Sequence, residues 1–170
     1  KYNEIYYKNI DIPKNNSIIK TFYSLLSPIE CEDLLYFYLY NKYGYIAIPS
    51  TNKIETQNYE FVMLNSNNRE EKIYIQVKNG EVDIEINDYM DLKGKIYLLT
   101  TDGNILRNGL RISSRNVDIN TGKILNLSNT FKGEIYIINP NKLFNFIKNA
   151  YDNKNILMSD LILQWFEYLK

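Results

Sequence analysis

The chain has 170 residues, with 20 basic and 20 acidic side chains, no histidine and one cysteine. This length fits a single domain with one substantial core. The absence of histidine excludes Ser-His-Asp and Cys-His nucleophilic sites and histidine-ligated zinc. The balanced charge excludes a polycationic nucleic-acid binder, so any nucleic-acid site must be local. Carboxylates, lysines, hydroxyls and oxygen-liganded metals remain available for catalysis.

Three features indicate the setting of the chain. The single cysteine, Cys31, cannot form an intramolecular disulfide, which fits a reducing compartment such as the cytoplasm. No run of 18 apolar residues and no signal-peptide pattern is present, so we expect a cytoplasmic protein that does not enter the membrane. The first residue is Lys1, from which we expect a processed chain or a domain cut from a longer protein with additional domains.

Two helices are predicted in the first part of the chain. The stretch "NNSIIKTFYSLL" places its apolar residues at helical spacing and predicts a short helix. The next stretch, "SPIECEDLLYFYLYNKYGY", carries the clearest helical signal in the sequence. Ser27 is placed as the N-cap, Pro28 as the first helical residue, Glu30 as the partner in a capping box and Gly44 as the end.

Strands dominate the next part of the prediction. The runs "YIAIPS" (45–50), "YEFVML" (59–64) and "KIYIQV" (72–77) predict three consecutive strands, the last two joined as a hairpin. A short helix at about 87–93 and the strand "KIYLLTT" follow, ending at an Asp-Gly turn. The stretch 104–133 shows no clear pattern.

The chain is predicted to end with one strand and two helices. The run "EIYII" (134–138) predicts the strand, and amphipathic helices are expected at about 141–150 and 156–169. On the second helix we expect the apolar face to consist of Ile156, Leu157, Leu161, Trp165 and Leu169. The whole order predicts an α/β domain with a central mixed β-sheet flanked by helices.

Polar side chains interrupt two of the predicted strands. Glu60 lies within "YEFVML", while Gln76 and Lys78 share one face of "KIYIQVKNG". Burying such groups without partners costs several kcal/mol, so a hairpin that brings all three together would explain them. A carboxylate and an amide oxygen suit magnesium, and a nearby lysine can orient an attacking water. The set indicates phosphodiester hydrolysis without histidine.

The element order and these polar residues together resemble the PD-(D/E)xK nuclease superfamily, in the variant with glutamine at the second acidic position. The resemblance covers about residues 27–101 and implies a restriction-endonuclease-like αβββαβ core, with 102–170 as a C-terminal elaboration ending in helices. It implies a magnesium-dependent endonuclease or exonuclease that acts on DNA.

The resemblance also implies a role for each site residue. Glu60 and Gln76 would hold Mg²⁺ or Mn²⁺, and Lys78 would position the water. Glu32, on the capped helix, would assist as a further acid, with Glu30 as the reserve choice. Each residue has a plainer interpretation as well: Lys78 as a strand-end lysine, Glu60 as an edge-strand charge, Gln76 as a satisfied core amide, and Glu32 as an exposed helix acid.

The sequence departs from the family pattern at two positions. Tyr59-Glu60 stands where the family has Pro-Asp, and Gln76 removes one negative charge from the metal site. The alternative function is therefore a catalytically inactive nuclease fold that acts as a binding or regulatory module in a larger defence or repair protein. A third hypothesis is a small interaction protein, such as an antitoxin, in which these side chains do not converge.

A second candidate feature is the stretch "RNGLRISSR". It contains Arg107, Arg111 and Arg115, three of the four arginines in the chain, with no acidic residue among them. Arginines can clamp phosphates and so contact nucleic acid. The alternative is a solvated loop, because Gly109 weakens a helix that would align the three. The acidic segment "EVDIEINDYMD" (81–91) would repel DNA unless metal ions intervene.

Overall fold

The fold is described by a computed structural model over residues 17–48 and 59–170. Four α-helices are present in these ranges: α1 (Ile18–Leu25), α2 (Pro28–Tyr43), α3 (Pro140–Asp152) and α4 (Asp160–Leu169). Eight strands accompany them: β1 (Tyr45–Ala47), β2 (Phe61–Asn65), β3 (Asn68–Lys78), β4 (Ile84–Glu85), β5 (Lys95–Thr100), β6 (Ile105–Arg107), β7 (Leu110–Arg111) and β8 (Glu134–Ile137). The end of the predicted first strand, 49–50, lies outside the described residues.

A five-stranded mixed sheet forms the centre of the fold, in the order β1-β2-β3-β5-β8. Strands β1, β2 and β3 form an antiparallel meander. Strands β5 and β8 then run parallel to β3. The predicted α/β class and central mixed sheet are confirmed.

Strand β5 is buried on both sides and divides the interior into two cores. Tyr97 and Leu99 face a core shared with all four helices. Ile96 and Leu98 face a smaller core shared with β4 and β6. The helices therefore lie on one face of the sheet, and short strands and loops cover the other. The predicted helix at 87–93 is a single 3₁₀ turn, Ile86–Tyr89, on this second face.

Helix α2 begins and ends as the sequence predicts. The Ser27 hydroxyl accepts a hydrogen bond from the Glu30 amide at 3.2 Å, and the Ser27 amide donates to the Glu30 carboxylate at 2.6 Å. Pro28 occupies the first turn, where no intrahelical N–H partner is needed. Gly44 ends the helix with φ of +70°, a conformation that glycine adopts without a steric penalty.

The apolar face predicted for the last helix is partly wrong. Helix α4 begins at Asp160, so Leu157 precedes it and does not share its periodicity. Leu157 and Leu161 are 49% and 54% exposed, whereas Ile162 and Trp165 are buried. A second sheet, β4-β6-β7, was not predicted because its strands have only two or three residues. In the described part of the chain, no helix is long and apolar enough to span a membrane.

A polar network fixes the turn that follows β3. The Asn79 side-chain amide donates to the Tyr23 carbonyl at 3.1 Å and to the Leu26 carbonyl at 2.8 Å, at the end of α1. The Thr101 hydroxyl donates to Asn79 Oδ1 at 2.8 Å and accepts from the Gly80 amide at 2.7 Å. The network joins α1 to the ends of β3 and β5, directly beside Lys78.

We expect Asn79→Ala to lower the free energy of unfolding by about 1–3 kcal/mol, because two helix-end carbonyls lose their donor. Asn155→Ala, at an exposed position in the loop before α4, is the control and should change it by less than about 0.5 kcal/mol. Chemical denaturation of both variants measures the difference. Equal stabilities would show that the network does not hold this turn.

Candidate functional site

Glu60, Gln76 and Lys78 converge at the end of the β2–β3 hairpin. Phe61 pairs with Ile75 in the antiparallel register, so the preceding residue, Glu60, lies across from Gln76. Gln76 Nε2 donates to Glu60 Oε1 at 3.4 Å. Lys78 Nζ lies 3.7 Å from the same oxygen. The Glu60 carboxylate thus contacts both the Gln76 amide and the Lys78 ammonium, which explains why these two polar groups share one face of β3.

The three side chains line a small pocket of about 190 Å³ on the sheet face that carries no helices. Gln76 lies at its base and is only 4% exposed, whereas the Glu60 and Lys78 side chains are 32% and 42% exposed. The other lining residues come from β4, the residue before it and the 3₁₀ turn: Asp83, Ile84, Glu85, Asp88 and Tyr89. A solute can thus reach Glu60 and Lys78 directly.

The acidic segment 81–91 contributes three carboxylates to this pocket. Asp83 Oδ1 accepts from the Asn104 amide at 2.8 Å. Glu85 accepts from the amides of Asn108 and Gly109 at 3.0 and 2.8 Å. These two acids hold the β4–β6 layer together while facing the pocket. With Glu60 and Asp88, four carboxylates and a single lysine line the pocket, and this excess of negative charge favours a cation there.

Tyr89 is a pocket residue that the sequence interpretation missed. Burial raises the pKa of its phenol, and the negative charges of Asp88 and Glu60 raise it further. The phenol therefore stays protonated at neutral pH and can donate a hydrogen bond into the pocket. Only its position, directly after Asp88 in the acidic segment, links it to the motif in the sequence.

The oxygens of Glu60 and Gln76 suit a hydrated magnesium ion. Both are hard ligands, and Mg²⁺ ordinarily keeps several waters when one or two protein oxygens bind it. Within residues 17–48 and 59–170, no three His, Cys, Asp or Glu side chains are grouped closely enough to hold a metal ion. The described residues therefore form no all-protein cage at this pocket, and an ion there would have to be bound mainly through water.

The two candidate acids of α2 are placed differently from the other site residues. Glu30 completes the capping box and accepts from Trp165 Nε1 at 3.3 Å, so its carboxylate is used in the helical layer. Glu32 lies on a helix that packs against the opposite face of the sheet from Gln76. It is not among the residues that line the pocket. The structure does not bring Glu32 to Glu60, Gln76 and Lys78.

The three arginines do not form one clamp. Leu106 pairs with Arg111 and Arg107 pairs with Leu110, so Arg107 and Arg111 lie on opposite faces of the β6–β7 hairpin. Arg107 donates to the Asn126 carbonyl at 3.4 Å and lies 5.7 Å from the centre of the Phe131 ring. Arg111 and Arg115 instead line a second, larger cleft. None of the three lines the Glu60 pocket.

The single cysteine is not a candidate nucleophile. Cys31 lies on the buried face of α2, in the core, and burial raises the pKa of its thiol to about 12. A thiol in that state is almost entirely protonated at neutral pH and is a poor nucleophile. Carboxylates, Lys78 and Tyr89 are therefore the groups with which the pocket can act.

The chain was compared with protein-family models, with curated proteins and with solved structures, and none of them matches it. Function therefore has to be inferred from the side chains and their geometry.

Gln76→Glu tests the contact at the base of the pocket. The new carboxylate would replace an amide whose nitrogen is 3.4 Å from Glu60 Oε1, and two carboxylates this close raise the pKa of one of them. We expect a loss of about 1–3 kcal/mol in the free energy of unfolding at neutral pH. The loss should shrink as the pH falls, because a carboxyl whose folded pKa is raised destabilises the fold fully above that pKa and not at all below its unfolded pKa.

Gln76→Leu is the matched control, because it removes the amide at similar size and adds no charge. Its effect on stability should be small and independent of pH. Denaturant unfolding of both variants between acidic and neutral pH measures these differences. A Gln76→Glu stability equal to that of the wild type at neutral pH would show that residues 60 and 76 are not in contact.

Proposed function

We propose that this chain is a nuclease-like domain that hydrolyses DNA phosphodiester bonds with magnesium or manganese. The observation that carries the proposal is the convergence of Glu60, Gln76 and Lys78 in one solvent-accessible pocket. Of the three functions considered, this convergence disfavours the small interaction protein whose polar strand residues are merely solvated.

The topology of the sheet supports the proposal. The antiparallel meander β1-β2-β3, followed by a further strand, β5, is compatible with the three-strand meander and later strand of an αβββαβ core. One difference is the connection from β3 to β5, which contains β4 and a 3₁₀ turn in place of an α-helix. Glu60 directly precedes β2, and Gln76 and Lys78 lie at the end of β3, which is compatible with the acid on the second strand and the Gln-x-Lys pair on the third that the resemblance implies.

The side chains divide the work of hydrolysis between them. Glu60 and Gln76 would hold Mg²⁺ or Mn²⁺, which when bound would offset negative charge on the phosphodiester. Lys78 donates a hydrogen bond to a water and aligns it with the phosphorus. The water oxygen bonds to phosphorus and gives up a proton to the solvent that reaches the pocket, while the bond to the leaving oxygen breaks and that oxygen takes up a proton from solvent. Tyr89, protonated at neutral pH, can donate a hydrogen bond to a phosphate oxygen.

A catalytically inactive binding or regulatory module is the second candidate function. Two observations favour it. Lys78 Nζ already lies 3.7 Å from Glu60 Oε1, so the ammonium is engaged in an ion pair before any substrate binds. Four carboxylates line the pocket, and they would repel a phosphate wherever no cation is bound. In this case the pocket would keep its structure and its ion but would not cleave.

Cleavage of plasmid and single-stranded DNA, measured while Mg²⁺ or Mn²⁺ is titrated, separates the two functions. We expect Glu60→Ala and Lys78→Ala each to reduce the rate by at least about 100-fold, the usual scale for a positioned acid, base or water-orienting group. Lys72→Ala and Glu70→Ala are the controls, because both residues are exposed on β3 away from the pocket. They should cleave like the wild type.

A thermal unfolding series with added Mn²⁺ gives a second readout that does not depend on cleavage. Metal bound to the native pocket raises the unfolding temperature by mass action, and Glu60→Ala should remove that increase. Metal stabilisation without cleavage would favour the inactive module. If millimolar metal produced no cleavage and no rise in the unfolding temperature, the proposed metal site would be refuted.

A further inference from the structure

A second cleft, distinct from the Glu60 pocket, opens at the carboxyl ends of β5 and β8. Its volume is about 1170 Å³. Thr100 and Thr101 from the end of β5 and Ile137 and Ile138 from the end of β8 form its floor. The β4–β6 pairing separates the two sites, because Ile84 lines the pocket while its partner Ile105 lines the cleft.

Basic side chains outnumber acidic ones in this cleft. Four cations line it: Lys20, Arg111, Arg115 and Lys142. The two acids that line it are Asp102 and Asp118. This contrasts with the Glu60 pocket, where four carboxylates face one lysine. A protein whose charges cancel overall thus places opposite charges in its two depressions.

Both acids of the cleft are already neutralised or held by neighbouring groups. Asp102 pairs with Lys20 at 3.0 Å. Asp118 accepts from the backbone amides of Asn120 and Thr121, both at 2.8 Å, and these bonds hold the pKa of its carboxyl below the usual range. Lys142 adds to that lowering from nearby and also donates to the Ile119 carbonyl.

The guanidinium groups of Arg111 and Arg115 are available to bind a ligand. Across residues 17–48 and 59–170, neither guanidinium has an ion-pair or hydrogen-bond partner. Arginine presents several N–H donors in a planar fork that matches phosphate oxygens. With the two acids compensated by the two lysines, the cleft retains the positive charge of two arginines, which suits a phosphate-bearing anion.

The rest of the lining suits an apolar group attached to that anion. Ile105, Ile112 and Ile137 line the cleft with the outer side of the smaller core, and Ile112 and Ile137 are only partly buried. A volume of about 1170 Å³ is slightly above the range of about 300–1,000 Å³ typical of small-molecule sites. Such sites commonly lie outside the carboxyl ends of parallel strands, which is where this cleft opens.

We propose that this cleft binds a nucleoside polyphosphate, with its phosphates on Arg111 and Arg115 and its base against the isoleucine wall. The proposal goes beyond the nuclease function and does not depend on it. The ligand site shares no lining residue with the Glu60 pocket. The two sites are nevertheless neighbours, because Thr100, which lines the cleft, pairs with Lys78 across the β3–β5 ladder.

Isothermal titration of the full chain with ADP, in the presence of a chelator, tests the proposal without the metal pocket. We expect saturable binding that weakens by about 10- to 100-fold in Arg111→Ala and Arg115→Ala, as expected for loss of a charge-assisted hydrogen bond. Pyrophosphate should bind more weakly than ADP, and adenosine more weakly still. Binding should also weaken as the salt concentration rises.

Exposed basic residues outside the cleft supply the controls. Lys148 lies on the same helix as Lys142, and Arg69 lies on β3; neither residue lines the cleft. The control variants are Lys148→Ala and Arg69→Ala. Both variants should bind ADP like the wild type, as should Glu60→Ala and Lys78→Ala. Because Arg111 and Arg115 are exposed, their loss should leave the unfolding temperature unchanged, which circular dichroism verifies.

Three results would overturn the proposal. The first is the absence of saturable ADP binding at millimolar concentration. The second is binding that survives removal of both arginines. The third is saturation by a short single-stranded oligonucleotide but not by ADP, which would make the cleft a nucleic-acid groove. None of these results bears on metal binding in the Glu60 pocket or on DNA cleavage. Failure of the nucleotide proposal is therefore distinct from failure of the proposed nuclease function.

Discussion

The parallel pairing of β5 with β3 is the constraint on which the rest of this structure depends. Six residues of β5 pair with β3, from Lys95 opposite Ile73 to Thr100 opposite Lys78. Because alternate β5 residues enter two different cores, the strand fixes the helical layer on one face and the β4–β6 layer on the other. A shift of one residue would exchange these two sets of side chains and remove both cores.

The same pairing places the ends of β3 and β5 side by side, next to both depressions of the surface. Lys78 ends β3 and Thr100 ends β5, side by side. The acidic pocket lies on the face away from the helices, and the basic cleft opens beyond the strand ends. The Asn79–Thr101 network locks the turns between them to α1. The ends of β3 and β5 thus lie beside an acidic pocket and a basic cleft, which the β4–β6 strand pair separates.

Periodicity and capping signals in the sequence predicted most of the sheet and helices. Ser27, Pro28, Glu30 and Gly44 act locally, so the bounds of α2 followed directly from residue type. The convergence of Glu60, Gln76 and Lys78 also followed, because an antiparallel hairpin fixes which residues face each other. That inference needed only the register of neighbouring strands.

Features that depend on distant parts of the chain were not predictable in this way. Strands β4 and β6 are too short to show a pattern, yet their pairing brings Asp83 and Glu85 over the pocket. Helix α2 packs on the opposite face from Gln76, which is why Glu32 does not line the pocket although the resemblance implied a role for it there. The arginines follow one another at intervals of four residues, but the β6–β7 hairpin turns Arg107 and Arg111 to opposite faces.

The most direct test of the central claim is paramagnetic broadening of backbone amide signals by Mn²⁺ in an NMR titration. If the pocket binds a divalent ion, broadening should appear first and most strongly at residues 60, 76–78 and 88–89. The amides of Glu70 and Asp152, which are exposed acids elsewhere on the surface, should broaden only at much higher metal concentration. Broadening spread evenly over the surface acids, or none near Gln76, would contradict the account.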